Sequence, residues 1–538
     1  MSENIQIKRA LISVSDKTGI VSFARKLKKI GCEIISTGGT KKVLKKAKIS
    51  VTDISEVTGN PEAFGGRMKT ISFQIESALL FDRKKDKQEA EKLNIQPIDL
   101  VVCNLYPFEK VKNDNADLAK LIENIDIGGP TMVRAGAKNY EFVGVVVDPN
   151  DYKMIGDEIT INNGMLSIET RFELMRKAYN HTADYDSLIA TTMDEQADKK
   201  SLRLAFSEGT ELRYGENSHQ KGYFLKQNNS EESLKNIKIL HGKELSYNNI
   251  FDMQSAIESV KDLEQTGCAI IKHANPCGLS EGKNQRKVFE NAWAGDPVSS
   301  FGSVIAFNKK LEKKTVEFLK LDAKDKMERK FIEIIIAPSF TPSAKKYLFQ
   351  HKNLRVIEFD PKLLNQRTDM KFLFNSLLFQ DSDNKLFEKK EIVTKIKPKI
   401  NNKLFQFGIV AMRQLRSNAI VAVRKMKTGD LQLLGMGCGQ PNRVNSVLLT
   451  IEKCRANLKN EYDGQEDKFE NYVKKEMKKV ALFSDAFFPF PDNVELSYEA
   501  GIRTIIQPGG SIQDKKVIAK CDKLGVGMIF TGMRHFKH

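Results

Sequence analysis

What most constrains the fold of this chain is an alternation. Over the first ~150 residues, short β-branched runs are each followed by an amphipathic helical stretch, which predicts a parallel sheet with crossover helices. "RALISVSD" reads as strand and turn, "GIVSFARKLKKIG" as a helix stopped by glycine, "CEIISTGGT" as strand and glycine turn, and "KKVLKKAKI" as the next helix. "IDLVVCNLYPF" and "FVGVVVDP" supply two further buried strands, and "TRFELMRKAYNHTADYDSLIATTM" a long helix. The polar segment "DEQADKKS", Asp194 to Ser201, marks a domain boundary. Beyond it α/β patterning resumes in "CAIIKH", "SVIAFN", "IEIIIAP", "VALFSDAFF", "RTIIQPGG" and "VGMIFTG", while the charged "LLFQDSDNKLFEKKEIVTK" reads as surface. A chain of 538 residues is too long for one core, so two domains are expected, 1–199 and 200–538. No short-period repeat is visible.

Composition narrows the function classes. With 41% hydrophobic and 29% charged residues the chain reads as an ordinary globular protein. No apolar run approaches the ~18 residues needed to span a membrane, and "MSENIQIKRALISVSDK" lacks the segments of a secretory signal, so a cytoplasmic protein without membrane partners is expected. Seven cysteines are scattered without C-x-x-C pairing, which argues against a zinc ribbon or a disulfide framework. Lys plus Arg total 86 against 69 for Asp plus Glu, a net charge of +17 that favours anionic partners. Most lysines recur at helical spacing among apolar residues, the pattern of solvated helix faces rather than of a nucleic-acid groove.

In the first domain, "STGGT" (Ser36, Gly38 and Thr40 among its residues) lies between strand and helix, where successive N–H groups and hydroxyls form a phosphate-binding nest. "SVSDKTG" adds Ser13, Ser15 and Lys17 at the end of the preceding strand. Parallel neighbours place both loops at one sheet edge, where open α/β sheets bind ligands. "GGRMKT" contributes Arg67 and Lys69, and "CNLYPF" contributes Asn104 and Tyr106. "IDIGGPTMVRAGAKN" sets Asp126 before a helix start, with Pro130 near its first turn and Lys138 farther along.

In the second domain, "CAIIKHANPCG" delivers Lys272 and His273 at a strand end, followed by a turn. Such a pair can move protons between two reacting nitrogens. His273 and Cys277 superficially match part of the zinc-deaminase signature, but its glutamate and second cysteine are absent, so no catalytic metal is expected. Further polar clusters hold Arg213, Tyr214, Asn217 and His219; Asn249 and Asp252; Ser299 and Phe301; Asn418; Gln440 and Arg443; Phe487, Asp492 and Asn493; and Arg534.

In this order, "SVSDKTG", "NLYPF", "DIGG", "LRYGENSHQ", "KHANPCG", "SDAFFPFPDN" and "GMRHFKH" resemble, over nearly the whole chain, the bifunctional purine-biosynthesis enzymes that join AICAR transformylase to IMP cyclohydrolase. The resemblance implies an α/β fold: an N-terminal methylglyoxal-synthase-like parallel-sheet domain, then two cytidine-deaminase-like α/β units without catalytic zinc. It also implies an intertwined homodimer, 10-formyltetrahydrofolate as co-substrate, and AICAR, FAICAR and IMP as the nucleotides handled. Carried over by motif, Lys272 and His273 are the transformylase pair and Asn418 orients the acceptor. Arg213, Tyr214 and Arg534 hold the nucleotide phosphate and neighbouring groups, and Asn249, Phe487, Asp492 and Asn493 contact substrate or folate. Lys69, Tyr106, Asp126 and Lys138 fall at cyclohydrolase positions, with Ser13, Ser15, Lys17, Ser36, Gly38, Thr40, Arg67 and Asn104 around the nucleotide.

The chain departs from the family at one place. After "GGRMKT" the family reads close to L-H-P-x-x-H-x-G, whereas "ISFQIESALLF" puts Ser72, Phe73 and Glu76 at the His-Pro and second His positions. A transformylase with an inactive nucleotide-binding first domain is therefore an alternative. A basic nucleic-acid-binding protein, whose binding would weaken steeply with salt, is another. A methylglyoxal-synthase-like lyase fused to a regulatory domain would account only for the first ~200 residues.

Overall fold

The computed structural model of the protein describes residues 4–227, 237–364 and 368–538. They fall into two compact units, Met1–Ala205 and Phe206–His538.

In the first unit, strands β1 (Arg9–Ile12), β2 (Glu33–Ser36), β3 (Thr52–Asp53), β4 (Leu100–Val102) and β5 (Gly144–Val146) form a sheet in the order β3-β2-β1-β4-β5. Every pairing is parallel. The period of two along a strand sends alternate residues to opposite faces. Leu11, Ile35, Val101 and Val145 pack with the helices Phe73–Leu80, Gly128–Lys138 and Ile168–Gln196. Ala10, Ile12, Ile34, Val102 and Val146 pack with the helices Ile20–Lys29 and Tyr152–Ile161. Burial on both faces is why these strands are continuous apolar runs, and the parallel arrangement gathers their carboxyl ends along one edge.

The second unit is built on a 12-stranded sheet. In chain order its strands are β6 (Lys238–His241), β7 (Thr266–Lys272), β8 (Asn275–Gly282), β9 (Ser303–Phe307), β10 (Ile332–Ala337), β11 (Arg355–Glu358), β12 (Glu391–Ile392), β13 (Ile420–Lys425), β14 (Leu431–Gly437), β15 (Ala481–Ser484), β16 (Thr504–Gln507) and β17 (Gly527–Phe530). Across the sheet they run β6-β11-β10-β9-β7-β8-β14-β13-β15-β16-β17-β12.

That order is a duplication. From the middle outward each half has a hairpin (β7–β8, β13–β14), an antiparallel neighbour (β9, β15), two parallel strands (β10 and β11, β16 and β17) and an antiparallel edge (β6, β12). The halves join where β8 meets β14 antiparallel, Ser280 opposite Gln432 and Glu281 opposite Leu431. The helices preceding the hairpins, Tyr247–Lys261 and Asn402–Arg413, share one core with Ile271, Val304, Val421 and Phe483. Those following them, Gln285–Trp293 and Arg443–Glu461, cover the opposite face in two separate cores. The two units implied by the family resemblance, for which no residue repeat is visible, are plain in the topology.

Candidate active sites

The first unit holds a cavity of about 530 Å³ at the carboxyl edge of its sheet. Loops leaving β1 (Ser13, Ser15, Lys17), β2 (Gly38, Thr40) and β4 (Asn104, Tyr106) line it. So do the first residues of two helices, Gly38–Lys46 and Gly128–Lys138, whose positive dipole ends favour an anion. Lys17 lies over one of these helix starts: a Cβ on Gly39 would stand 3.6 Å from its Cε. Its Nζ donates to the Ser15 carbonyl at 3.0 Å. Lys69 approaches so closely that a side chain at Gly66, φ 95°, would collide with it. Its ammonium pairs with Glu62 at 3.1 Å. Arg67 also lines the cavity and pairs with the exposed Glu123.

Asp126 holds the start of the helix Gly128–Lys138. Its Oδ1 accepts from Gly129 N at 2.8 Å and its Oδ2 from Tyr106 N at 3.4 Å. The hydroxyl of Tyr185 accepts from Asp126 N at 2.9 Å, a partner that sequence reading passed over inside the long helix. Burial raises the Asp126 carboxyl above its ordinary range, opposed by these two N–H groups and by Lys69. Tyr106 stands half-exposed at the cavity wall.

Several expected residues use their side chains in hydrogen bonds within the protein, Thr40 and Asn104 while also lining the cavity. Ser36 is fully buried and donates to the Ile12 carbonyl at 2.7 Å. Thr40 Oγ1 both accepts from Val14 N and donates to Val14 O, at 3.0 Å each. Asn104 Oδ1 accepts from Ser15 N (2.6 Å) and Asp16 N (2.8 Å), bracketing the lysine-bearing loop. Lys138 is the last residue of its helix, exposed and outside the cavity lining. Ten residues of helix separate it from Gly128, about 15 Å of rise. Ser72, Phe73 and Glu76 do not line the cavity either. Ser72 Oγ caps the helix Phe73–Leu80 by accepting from Ile75 N at 3.1 Å, Phe73 is exposed, and Glu76 Oε1 is buried without a hydrogen-bond partner.

In the second unit the expected residues gather in three groups. The first is the tip of the β7–β8 hairpin, where Lys272 Nζ donates to Phe301 O at 2.7 Å and His273 stands in the turn. Cys277 is buried, with Sγ donating to Ile270 O at 3.2 Å, and no group of three or more metal-ligating side chains is found among the described residues.

The second group surrounds Asn418. Arg443 Nη2 donates to Asn418 Oδ1 at 2.7 Å, which turns the amide nitrogen toward the carbonyls of Gln440 (2.8 Å) and Pro441 (3.1 Å). Arg443 in turn pairs with Asp485, a fully buried carboxylate that also accepts from Ser417 Oγ (2.7 Å) and Ala419 N (3.0 Å). The C-terminal segment docks on the same group, with His535 N donating to Asp485 O at 2.9 Å and Ser417 N to Lys537 O at 2.9 Å. Asp485 lies inside "SDAFFPFPDN", where the sequence points instead to Phe487, Asp492 and Asn493. Of these, Phe487 is half-exposed and Asp492 accepts from Asn493 N at 2.7 Å; Asn493 is fully buried with no side-chain partner among the described residues. Arg534 is exposed and stacks on Phe536, its guanidinium 4.9 Å from the ring centre. Cys438 Sγ, 3.5 Å from Asn275 Oδ1, joins this group to the hairpin.

The third group centres on Asn249, whose Nδ2 donates to Glu333 Oε2 at 2.8 Å, with Arg355 3.7 Å from the same carboxylate. Glu333 was invisible in "IEIIIAP", which reads only as a buried strand. Arg213 stacks on Tyr214 at 5.5 Å.

An open parallel sheet with cation-bearing loops and glycine-started helices at its carboxyl edge defines an anion-binding α/β enzyme unit, here followed in the chain by a duplicated α/β unit with a Lys-His hairpin. The family profile described as AICARFT/IMPCHase bienzyme matches residues 136–453, and that of the MGS-like domain matches residues 19–131. The bifunctional purine biosynthesis protein PurH of Acetivibrio thermocellus is 42% identical over 548 residues, covering 99% of this chain and 100% of that protein. Proteins of the same name from Ruminiclostridium cellulolyticum and Persephonella marina are each 40% identical, over 546 and 548 residues, with the same coverage. A solved structure described as "Crystal structure of ForH" is 32% identical, covering 34% of this chain and 96% of its own, at a TM-score of 0.31. This chain belongs to the AICARFT/IMPCHase bienzyme family. It is a bifunctional enzyme of purine biosynthesis, a formyltransferase and a cyclohydrolase in one polypeptide.

Proposed function

We propose that the second unit transfers the formyl group of 10-formyltetrahydrofolate to the 5-amino group of AICAR, and that the first closes the product, FAICAR, to IMP. The AICAR amine is a poor nucleophile, so it needs a base as it attacks the formyl carbon. His273 takes that proton, and Lys272 donates one to the departing folate N10. Arg443 fixes the amide of Asn418, which orients the acceptor. Arg213, Tyr214 and Arg534 hold the nucleotide's anionic end, with Asn249, Phe487 and Asp492 around substrate and folate and the fully buried Asn493 behind Asp492. In the first unit the nucleotide phosphate binds the helix starts beside Lys17 and Arg67. The carboxamide nitrogen attacks the formyl carbon and water leaves; Asp126 takes the amide proton while Lys69 and Tyr106 stabilise the oxyanion. The enzyme acts as a homodimer in the cytoplasm, binding neither membrane nor nucleic acid. Among the described residues no helix is long and apolar enough to cross a membrane.

The observation that carries this reading is the presence of two separate constellations, an anion-binding cavity in one unit and a Lys-His hairpin in the other. Lys272→Ala and His273→Ala are each expected to abolish formyl transfer while ring closure of supplied FAICAR continues at the parental rate. Near-normal formyl transfer in both variants would sink the assignment.

A further inference from the structure

The hairpin that carries Lys272 and His273 turns in an unusual way. Lys272 pairs directly with Asn275, leaving His273 and Ala274 as a two-residue loop. Both have positive φ, 52° and 59°. This is the pattern of a type I′ turn, which strongly favours Asn-Gly because glycine takes a positive φ freely and asparagine tolerates it better than most residues. A left-handed conformation is disfavoured for a residue with a side chain, and it persists only where the surroundings hold it. Here a histidine, which cannot be replaced by glycine without losing its imidazole, occupies one of the two positions.

One side chain does the holding. Asp252 lies on the helix Tyr247–Lys261, one turn beyond Asn249, and its Oδ1 accepts from Ala274 N at 2.7 Å. The N–H of His273 lies within reach of the same carboxylate. The Ala274 N–H is the turn's direct hydrogen bond to this carboxylate, and the adjacent His273 N–H, on the concave side that a left-handed turn presents, favours its ionised form. Asn275 closes the other side, its Nδ2 donating to His273 O at 2.9 Å. The half-buried Asp252 carboxylate is pushed up by burial and by Glu333 and lowered by the turn's own N–H groups and His273, so turn and carboxylate are mutually dependent.

We propose that Asp252 is a positioning residue for formyl transfer: by clamping the N–H groups of the strained His273–Ala274 turn it aims the imidazole at the attacking amine. The proposal rests on the reading of His273 as the base, and the experiment separates the two. In the full-length enzyme, Asp252→Ala is expected to lower kcat for formyl transfer about 10- to 100-fold, the scale of a misaimed catalytic group. KM for AICAR and for the folate should stay within about threefold, and ring closure of FAICAR should be unchanged. Asp252→Asn keeps an acceptor oxygen and is expected to lose at least about fivefold less kcat than the alanine variant. Ala274→Gly in the Asp252→Ala background takes a positive φ without steric cost and is expected to restore most of the lost kcat. Asp252→Ser reads the same kcat-against-KM split if the alanine variant does not fold. A parental kcat, a loss confined to KM, or a kcat that Ala274→Gly fails to raise each overturns the proposal. Parental formyl transfer in His273→Ala overturns the assignment of the base itself. An inactive His273→Ala beside a fully active Asp252→Ala overturns only the role given to Asp252.

Discussion

Glu76 is a carboxylate where the family motif that the chain resembles carries histidine, and its buried Oε1 has no hydrogen-bond partner among the described residues. Burial holds the carboxyl at about 6, above its ordinary 4.5. Folding therefore works against ionisation at this site. The penalty is absent below pH 4.5, where the carboxyl is protonated in folded and unfolded chains alike, and complete above pH 6. Glu76→Gln removes the charge at nearly constant shape. At pH 7.5 it is expected to stabilise the first unit by about 1 kcal/mol, a figure discounted for the part of the side chain that water reaches. Thermal denaturation should show the gain vanishing as pH falls below 4.5; a gain independent of pH would mean that packing and not charge is responsible. Residue identity and strand-end position led to Lys17, Lys69, Tyr106 and Asp126 from sequence. The same logic selected Ser36, Thr40 and Asn104, whose hydrogen bonds to Ile12, Val14, Ser15 and Asp16 join segments far apart in the chain and leave no local signal.

At the scale of elements, the apolar runs read as strands, from "RALI" in β1 to "GMIF" in β17, are strands because burial on both faces leaves a continuous apolar run, whereas "NPCGLSEG", whose Asn, Pro and Gly read as a turn after His273, is strand β8. The duplication that the family resemblance implies has no visible residue repeat, since it lives in the order and direction of strands rather than in matching residues. It does leave a trace in two glycines. On β8 a Cβ at Gly278 would strike the Ala292 carbonyl in the helix Gln285–Trp293; on β14 a Cβ at Gly437 would strike the Ser446 carbonyl in the helix Arg443–Glu461. In each half, the helix after the hairpin sits against a strand that has no side chain at the point of contact. Backbone carbonyls cannot rotate away as a flexible side chain can. Gly278→Ala is therefore expected to cost about 3 kcal/mol, the upper range of overpacking. The readout is a lower urea midpoint for the second unit, with Lys272 chemistry falling as the β8 strand shifts and ring closure unaffected. An unchanged midpoint would show that this helix yields more readily than its packing implies.

For the whole molecule the consequential fact is that each unit has a core of its own. The sheet of the first unit is covered on both faces by helices drawn from Met1–Ala205, and every residue lining its cavity lies between Ser13 and Met132. The helix Ile168–Gln196 supplies Ala178 and Tyr185 to that core, and the Tyr185 hydroxyl holds the backbone of Asp126, so a fragment must include it to keep the site in shape. A fragment ending at Ala205 satisfies this condition and exposes none of the second unit's buried strands. It is expected to fold alone and to close FAICAR to IMP without the formyl-transfer unit. Within it, Lys69→Ala should lower kcat by about 100- to 1,000-fold, the effect of removing one oxyanion donor, with a smaller change in KM. This follows because the ammonium meets full negative charge only as the formyl oxygen is attacked. A folded fragment that binds IMP but does not cyclise FAICAR would instead mean that the Ser72, Phe73 and Glu76 substitutions have removed the chemistry and left a nucleotide-binding domain. Full activity in the Lys69→Ala fragment would move the stabilising charge to another cation of the cavity, Lys17 or Arg67.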